Sequence, residues 1–316
     1  MEKCHRILGR TNEKQQPIMT IRHLQHKQID PLKWDGAIFR SRVPQAYALF
    51  GYLNKITDNH WSALVYGDYE AVFPLPLKQK FGITYVVQPI FCQQLGAFGT
   101  CTNVSTMDFV NAIPKHFVRV RMNLNPYFDK QNKPVLTVKT NLVLPLSSQP
   151  DYNKDCRKNL LGLQKYPIQF EENKISIQDA VGVYRQAWGN SNLQLTLNDY
   201  NRFVGACETL QESHNGVLTI AATNTETNEL LGAAIILRLT NLDQHQIQLL
   251  QYVCAGPTAE GKPMGIMHGI IDAAIQKHLG PNTVFDFEGS SIPSVAAFYK
   301  KFGPEENPYY LFKRGL

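Results

Sequence analysis

Long apolar runs are missing from this sequence. No stretch of about 18 or more apolar residues occurs, so no segment reads as a membrane-spanning helix. The opening residues, MEKCHRILGRTNEKQQP, lack the apolar core that a secretory signal needs. Paired cysteines are missing as well. The six cysteines (Cys4, Cys92, Cys101, Cys156, Cys207 and Cys254) are scattered, with no C-x-x-C pair and no dense framework. That pattern suits a reduced compartment. The nine histidines form no H-E-x-x-H and no other metal spacing, so no metal is expected. G-x-S-x-G, Walker A and G-x-G-x-x-G are all absent, which removes the usual signatures of serine hydrolases, P-loop enzymes and dinucleotide folds. Charge of one sign is scarce too. Lys+Arg is 32 against Asp+Glu 26, a net +6 with no basic block. This mild surplus permits a phosphate-bearing cofactor, tRNA or a lipid headgroup as partner and demands none. A cytoplasmic protein is expected, and a membrane-bound substrate stays open.

What is present is globular. The 316 residues are 43% hydrophobic and 18% charged, enough apolar mass for two cores. Residues 1–18 are polar and aperiodic and are expected to form a flexible leader, with Met19 as an alternative start. The spacing then predicts one domain over 19–148 and a second over 149–316, divided at Leu146–Pro150. Between Ile29 and Thr57 the pattern is helical, with Trp34, Ile38, Tyr47, Phe50, Leu53 and Ile56 inward, and Pro31 and Pro44 suit helix starts or the joint between two short helices. Strand signals follow at Trp61–Tyr66, at Tyr69–Leu77 (broken at Pro74 and Pro76), through ITYVVQPIFCQQLGAF, and at Phe117–Leu124. Val104–Val110 reads as a helix, Asn132–Lys133–Pro134 as a turn, and Val135–Leu146 as strand-rich.

The second half is more regular. A helix over DYNKDCRKNLLGLQKY precedes a short strand at Ile168–Glu171. Helices follow at Ile177–Trp188 and Thr196–Ser213. Three strands come next, at Val217–Ala222, Leu230–Leu239 and Ile247–Ala255. Pro263 opens a helix to about His278, Val284–Glu288 is a strand, Ser290–Ser291 caps a helix over Pro293–Phe302, and Tyr309–Lys313 is a closing strand. The order is β, α, α, β, β, β, α, β, α, β. A three-strand meander followed by helix, strand, helix and strand is the order of the GNAT fold.

Three stretches could carry chemistry. GPTAEGKPMGIMHG joins a strand to an amphipathic helix. Gly256, Gly261 and Gly265 permit close approach, and Lys262 adds a charge to a helix N-terminus suited to a pyrophosphate. The alternative is a glycine-rich connecting turn. In FDFEGSSIPSVAAFYKKFG, Asp286 and Glu288 fall on one face of a strand, where two carboxylates can bind an ammonium or act as a base. The alternative is that they accept bonds from Ser290, Ser291 or helix N–H groups. Tyr299 is a candidate acid, or a core aromatic. In ITYVVQPIFCQQLGAF, Tyr85, Gln88, Gln93 and Gln94 are polar positions in an apolar run. Amides and a phenol recognise neutral or sugar-like groups, and three glutamines in so apolar a run need partners; the alternative is satisfied turn and bulge residues around Pro89. The lysines of Lys154–Lys165 read as a solvated face or a phosphate contact.

YNKDCRKNL, the Gly256–Gly269 stretch and DFEGSSIPSVAAFYKKFG followed by NPYYLFKR resemble the Fem-type branch of the GNAT superfamily, over about residues 20–316. PLPLKQKFGITYVVQPIFCQQLGAF is similar to uncharacterised relatives of that branch. The resemblance implies a duplicated GNAT fold, α/β with mixed central sheets, and two halves of one topology. It implies an N-acyltransferase with acetyl-CoA, another acyl-CoA or an aminoacyl-tRNA as donor and a small-molecule or peptide amine as acceptor. Glu288 is then the expected base and Tyr299 the acid. Gly256, Gly261, Lys262 and Gly265 are the donor loop, and Tyr85, Gln88 and Gln93 are the acceptor contacts. Two departures stand out. Gly256–Gly265 only approximates the usual Arg/Gln-x-x-Gly-x-Gly/Ala signature, and no polar heptad run supplies the coiled-coil arm of some Fem-type enzymes. The first departure points to the alternative of a GNAT-fold binding protein without catalysis.

Overall fold

The computed structural model describes residues 20–126, 136–189, 195–242 and 246–315. The expected leader and the turn at Asn132–Pro134 lie outside the described residues.

The first half opens with β1 (Ile21–Gln25), α1 (Pro31–Phe39), a 3-10 turn at Ala46–Ala48 and α2 (Phe50–Thr57). Asp30 caps α1 by accepting from Leu32 N and Lys33 N, and Pro31 fills the first helical position. Pro44 lies in the joint between the short helices α1 and α2, the second of the two roles its place in the pattern suggests. Trp34, Ile38, Tyr47, Leu53 and Ile56 are buried as their spacing predicts. Then come β2 (Trp61–Tyr66), β3 (Ala71–Lys80), β4 (Ile83–Val87), β5 (Phe98–Gly99), α3 (Thr106–Ala112), β6 (Val120–Leu124) and β7 (Thr137–Lys139). β3 runs straight through Pro74 and Pro76, against the expected break. Leu77 N donates toward the β2 side, to His60 O at 2.9 Å. Pro74 and Pro76 therefore present their missing N–H to the other edge. There β3 pairs with β5 only at Ala71 and Val72, and with β4 only from Leu77 onward.

The first half ends with β8 (Leu142–Pro145), and the second begins with α4 (Lys154–Leu163), β9 (Ile168–Glu172), α5 (Ile177–Trp188) and α6 (Leu197–His214). Thr196 and Asp199 close a reciprocal capping box that starts α6. The meander follows as β10 (Val217–Asn224), β11 (Leu230–Thr240) and β12 (Gln248–Pro257). After it come α7 (Gly261–Met264), α8 (Ile266–Lys277), β13 (Thr283–Asp286), α9 (Pro293–Tyr299), β14 (Glu305–Glu306) and β15 (Tyr309–Arg314). The helix expected from Pro263 is two helices, because Gly265 sits at φ 74° and breaks the run. Ser290 and Ser291 do not cap α9. Their hydroxyls bond Glu288 O, and Thr140 O and Tyr309 Oη, respectively.

The two sheets have one plan. The first runs β1-β2-β3-β4-β6-β15-β7, and the second, in matching order, β9-β10-β11-β12-β13-β8-β14. In each, five strands of one half are followed by one strand lent by the other half. β15 pairs with β6 and β7 in the first sheet. β8 pairs with β13 and β14 in the second. Helices α5 and α6 lie between the halves. One face of the second sheet (Val217, Ala233, Ile235, Leu237, Cys254) shares a core with Tyr47, Leu53 and Phe73 of the first half. The opposite face packs on α4 and α8.

Candidate active site at the seam of the two halves

β12 and β13 are parallel neighbours for only four residue pairs, from Gln248↔Thr283 to Gln251↔Asp286. Beyond Asp286 the strands part. β12 continues against β11 with a bulge at Val253, which has no opposite residue between Ile235↔Cys254 and Ile236↔Tyr252. On the other side the chain leaves β13 through Glu288 at φ 47° and Gly289 at φ 59°. A left-handed glutamate is uncommon and has to be held by its surroundings. The opening therefore has a bulged strand on one wall and a constrained carboxylate on the other.

The first half repeats this geometry and then closes it. β4 and β6 are parallel at Val86↔Val120 and Val87↔Arg121. The chain after β4 turns back into the gap: Gln88 N bonds Arg121 O at 3.0 Å, and Leu95 N bonds Asn123 O at 2.8 Å. In the second half, among the described residues, no strand pairs with β12 on that side beyond Gln251.

The Glu288 side chain is buried in a polar network built from both halves. Gln251 Nε2 donates to Glu288 Oε1 (3.0 Å) and to Gln45 Oε1 (2.9 Å), while Ala46 N donates to Gln251 Oε1 (2.9 Å). The Tyr47 hydroxyl bonds the Glu288 carboxyl and accepts from Gln94 N at 3.1 Å. Asp286 holds the base of the loop. Its Oδ1 accepts from Glu288 N at 2.9 Å, and Asn141 Nδ2 donates to Oδ1 and Oδ2 at 3.0 and 3.1 Å. Asn141 Oδ1 in turn accepts from Gln93 Nε2 at 3.2 Å. No lysine or arginine enters these bonds. Burial, then the neighbouring Asp286 carboxylate, push Glu288 well above the usual carboxylate range, despite the bonds from Gln251 and Tyr47. Burial raises Asp286 to about 6, and its bonds from Glu288 N and Asn141 work against that rise. Two carboxyls this close do not ionise independently. The donor-rich Asp286 is the one that ionises first.

Tyr299 reaches the same place from α9. Its ring lies 4.9 Å from Phe287 and 6.1 Å from Tyr252, centroid to centroid. Burial and then the Glu288 charge raise its phenol, so it stays protonated at neutral pH. Tyr184 of α5 is the next group to act on it. The structure thus places Glu288 beside Asp286 and sets Tyr299 within electrostatic reach of Glu288.

No protein-family model matches the sequence, and comparison with curated proteins finds no match. Solved structures do match. The chain is similar to FemX, with a TM-score of 0.60 at 10% identity, over 89% of this chain and 96% of that one. It is also similar to a conserved protein of unknown function from Bacteroides thetaiotaomicron VPI-5482, with a TM-score of 0.51 at 9% identity, over 94% and 100%. A tandem GNAT protein from the clavulanic acid biosynthesis pathway aligns over 93% and 97% with a TM-score of 0.46 at 10% identity. The fold is a tandem GNAT fold of the Fem-like kind.

Within this tandem GNAT fold, the glycines singled out in the sequence serve the protein's own packing. A Cβ on Gly256 would meet Ala187 Cβ at 2.8 Å, and one on Gly261 would meet Leu231 O at 1.9 Å. Gly261 N bonds Thr258 Oγ1 and Lys262 N bonds Thr258 O, so these two amides are already engaged. Lys262 itself is exposed. A hollow of ≈ 370 Å³ lies beside Pro263 and Met264, and Lys158, Lys165 and Lys301 line it together with Asp155.

The expected acceptor residues separate. Gln93 joins the carboxylate network through Asn141. Gln88 is a scaffold, accepting from Asn123 N and donating to Cys92 O. Tyr85 lies in the wall of a different cleft of ≈ 470 Å³, with His60, Lys78, Asp199 and Arg202. Gln45, Asn141 and Gln251 were not singled out in the sequence, and Tyr47 was read only as an inward-facing position. The one signal was Gln251, a glutamine inside the apolar run LLQYV.

Proposed function

We propose that the chain is an N-acyltransferase whose reaction centre is the opening between β12 and β13. The observation that carries this reading is the buried Glu288 carboxyl at the point where the two parallel strands part, opposite the Val253 bulge. The acyl donor lies along β12, and its phosphates meet Lys158, Lys165, Lys301 and Lys262. The amine acceptor enters at the seam. Its nitrogen attacks the acyl carbon, an N–C bond forms, and the C–S bond of a thioester or the C–O bond of an aminoacyl ester breaks. The proton released by the amine passes to Glu288, and Tyr299 protonates the leaving sulfur or oxygen. Backbone N–H groups freed by the bulge are the candidates for holding the oxyanion.

Screening acyl-CoAs by thermal shift, in parallel with filter retention of labelled acetyl-CoA and of charged tRNA, tests this and separates the two donors. A stabilising donor that transfers its acyl group to an added amine is the expected result. No binding by either donor class would end the reading.

The second reading is a GNAT-fold binding protein without catalysis. The engaged amides of Gly261 and Lys262 and the closed Gly256 favour it. Its mark is donor binding with no turnover against any amine.

A further inference from the structure

The hairpin of β3 and β4 stands clear of the sheet it belongs to. β2 pairs with β3 only as far as Trp61↔Pro76, and β6 meets β4 only from Val86↔Val120. Beyond these limits, among the described residues, positions 78–85 form strand pairs only with one another. At the tip are Phe81 at φ 52° and Gly82 at φ 75°. A two-residue loop with both residues left-handed favours asparagine, aspartate or glycine first. A bulky phenylalanine there is strained. Packing does not relieve the strain. Phe81 is 91% exposed, and its ring is met by Lys80 Nζ, 5.3 Å from the centroid. Ile83, across the loop, is 54% exposed.

The register shows what stands beside this tip, since paired residues share a face of the sheet. Lys80 pairs with Ile83, and Lys78 with Tyr85. Val87, on the same side of β4, pairs with Arg121, and Arg121 with Lys313. Arg119, whose carbonyl accepts from Val86 N, lies two residues before Arg121 and shares its side. The opposite side buries Val86, Val120, Met122 and Phe312. Five exposed cations, Lys78, Lys80, Arg119, Arg121 and Lys313, therefore share one side of four neighbouring strands, a width of about 14 Å. None of them forms an ion pair among the described residues. Asp199 of α6 is within electrostatic reach of Lys78 and is held by its own cap, Thr196.

We propose that this hairpin docks the chain on the surface of an anionic phospholipid bilayer. Phe81 and Ile83 enter the boundary between headgroups and acyl chains, and the five cations meet the lipid phosphates. An apolar tip or a basic patch alone binds a bilayer weakly, whereas the two together hold it. A nucleic-acid backbone matches the cations but offers no apolar layer for Phe81 and Ile83. The inference is independent of acyl transfer.

The test is co-sedimentation of the whole chain with vesicles of phosphatidylcholine alone and of phosphatidylcholine mixed with phosphatidylglycerol. Binding is expected to the mixed vesicles only, and to weaken as salt is raised. Arg119→Gln and Arg121→Gln are each expected to weaken it about fivefold. Phe81→Asn should weaken it about tenfold, for partial burial of one ring, while its melting temperature holds or rises, because asparagine suits the turn. Should that variant fail to fold, Phe81→Trp reads insertion directly. Its added emission is expected to move to shorter wavelength on mixed vesicles, and an unmoved spectrum overturns the proposal. Absent or equal binding to the two vesicle types overturns it as well, as does a folded Phe81→Asn chain that binds undiminished. Retention of RNA without vesicle binding assigns the cations to a nucleic acid and overturns it. Self-association that Phe81→Asn abolishes, again without vesicle binding, assigns the tip to a second copy of the chain and overturns it too.

Discussion

Glu288 combines three features that rarely coincide: it is buried, left-handed in its backbone, and beside a second carboxyl. As a base it acts only when deprotonated, and its proton is held more tightly than in a free carboxyl. The rate is therefore expected to rise with pH through a limb above the ordinary carboxylate range. Glu288→Gln should lower turnover on the order of a hundredfold or more, remove that limb, and leave donor affinity unchanged. Full turnover with an unaltered pH profile would take Glu288 out of the mechanism. Asp286 makes a separate prediction about stability. Its carboxyl rises from 3.8 to about 6 on folding, so between these values the folded chain holds a proton that the unfolded chain has lost. Stability should fall as pH rises through this window, and Asp286→Asn should flatten the fall. Asp35, also raised to about 6 by burial, contributes in the same direction and would remain in that variant. Urea unfolding at a series of pH values reads both.

Among elements, the turn from β12 into α8 has the sharpest steric demands. Gly261 lies against a backbone carbonyl, Leu231 O, which has no rotamer to move, and a Cβ on Gly269 would sit 2.1 Å from the Phe170 ring. Gly261→Ala is expected to cost about 1–3 kcal/mol through overpacking, near the top of that range, measured by denaturant titration. A neutral result would mean that the turn moves easily. Lys262 behaves differently, being exposed at the start of this corner. Lys262→Ala should leave stability unchanged and weaken CoA or phosphate-analogue binding by about 1 kcal/mol at low salt. Equal affinity of the two proteins would confine the anion contact to Lys158, Lys165 and Lys301.

At the scale of the whole molecule, the reciprocal loan of β8 and β15 ties the halves together. Without β15 the first sheet loses the strand between β6 and β7, and without β8 the second loses the strand between β13 and β14. Each half alone would also expose the apolar layer around α5 and α6. Fragments 20–148 and 149–315, made separately, should show no cooperative unfolding, while mixing them should restore a transition. A cooperative melt from either fragment alone would show that the exchanged strand is dispensable.

Much of the second half was legible because its signals are local. Thr196 and Asp199 mark the start of α6 within four residues, the period-3.6 face of Ile270, Ile271, Ala274 and Ile275 gives α8, and the three apolar runs before it give the meander. Asp286, Glu288 and Tyr299 were readable as candidates from their places on one strand and the following helix. Gln45 and Gln251 were not, because the contact that gives them meaning spans 206 residues. Alternation along a strand tells which side chains share a face but says nothing about which strand lies beside it. Strand order is set by which edge remains open once both halves have folded against each other. The sequence by itself determined the elements and their buried faces. Only the tertiary structure decided that β8 and β15 change sheets, that the first opening is filled by its own chain, and that glutamines of one half complete the carboxylate site of the other.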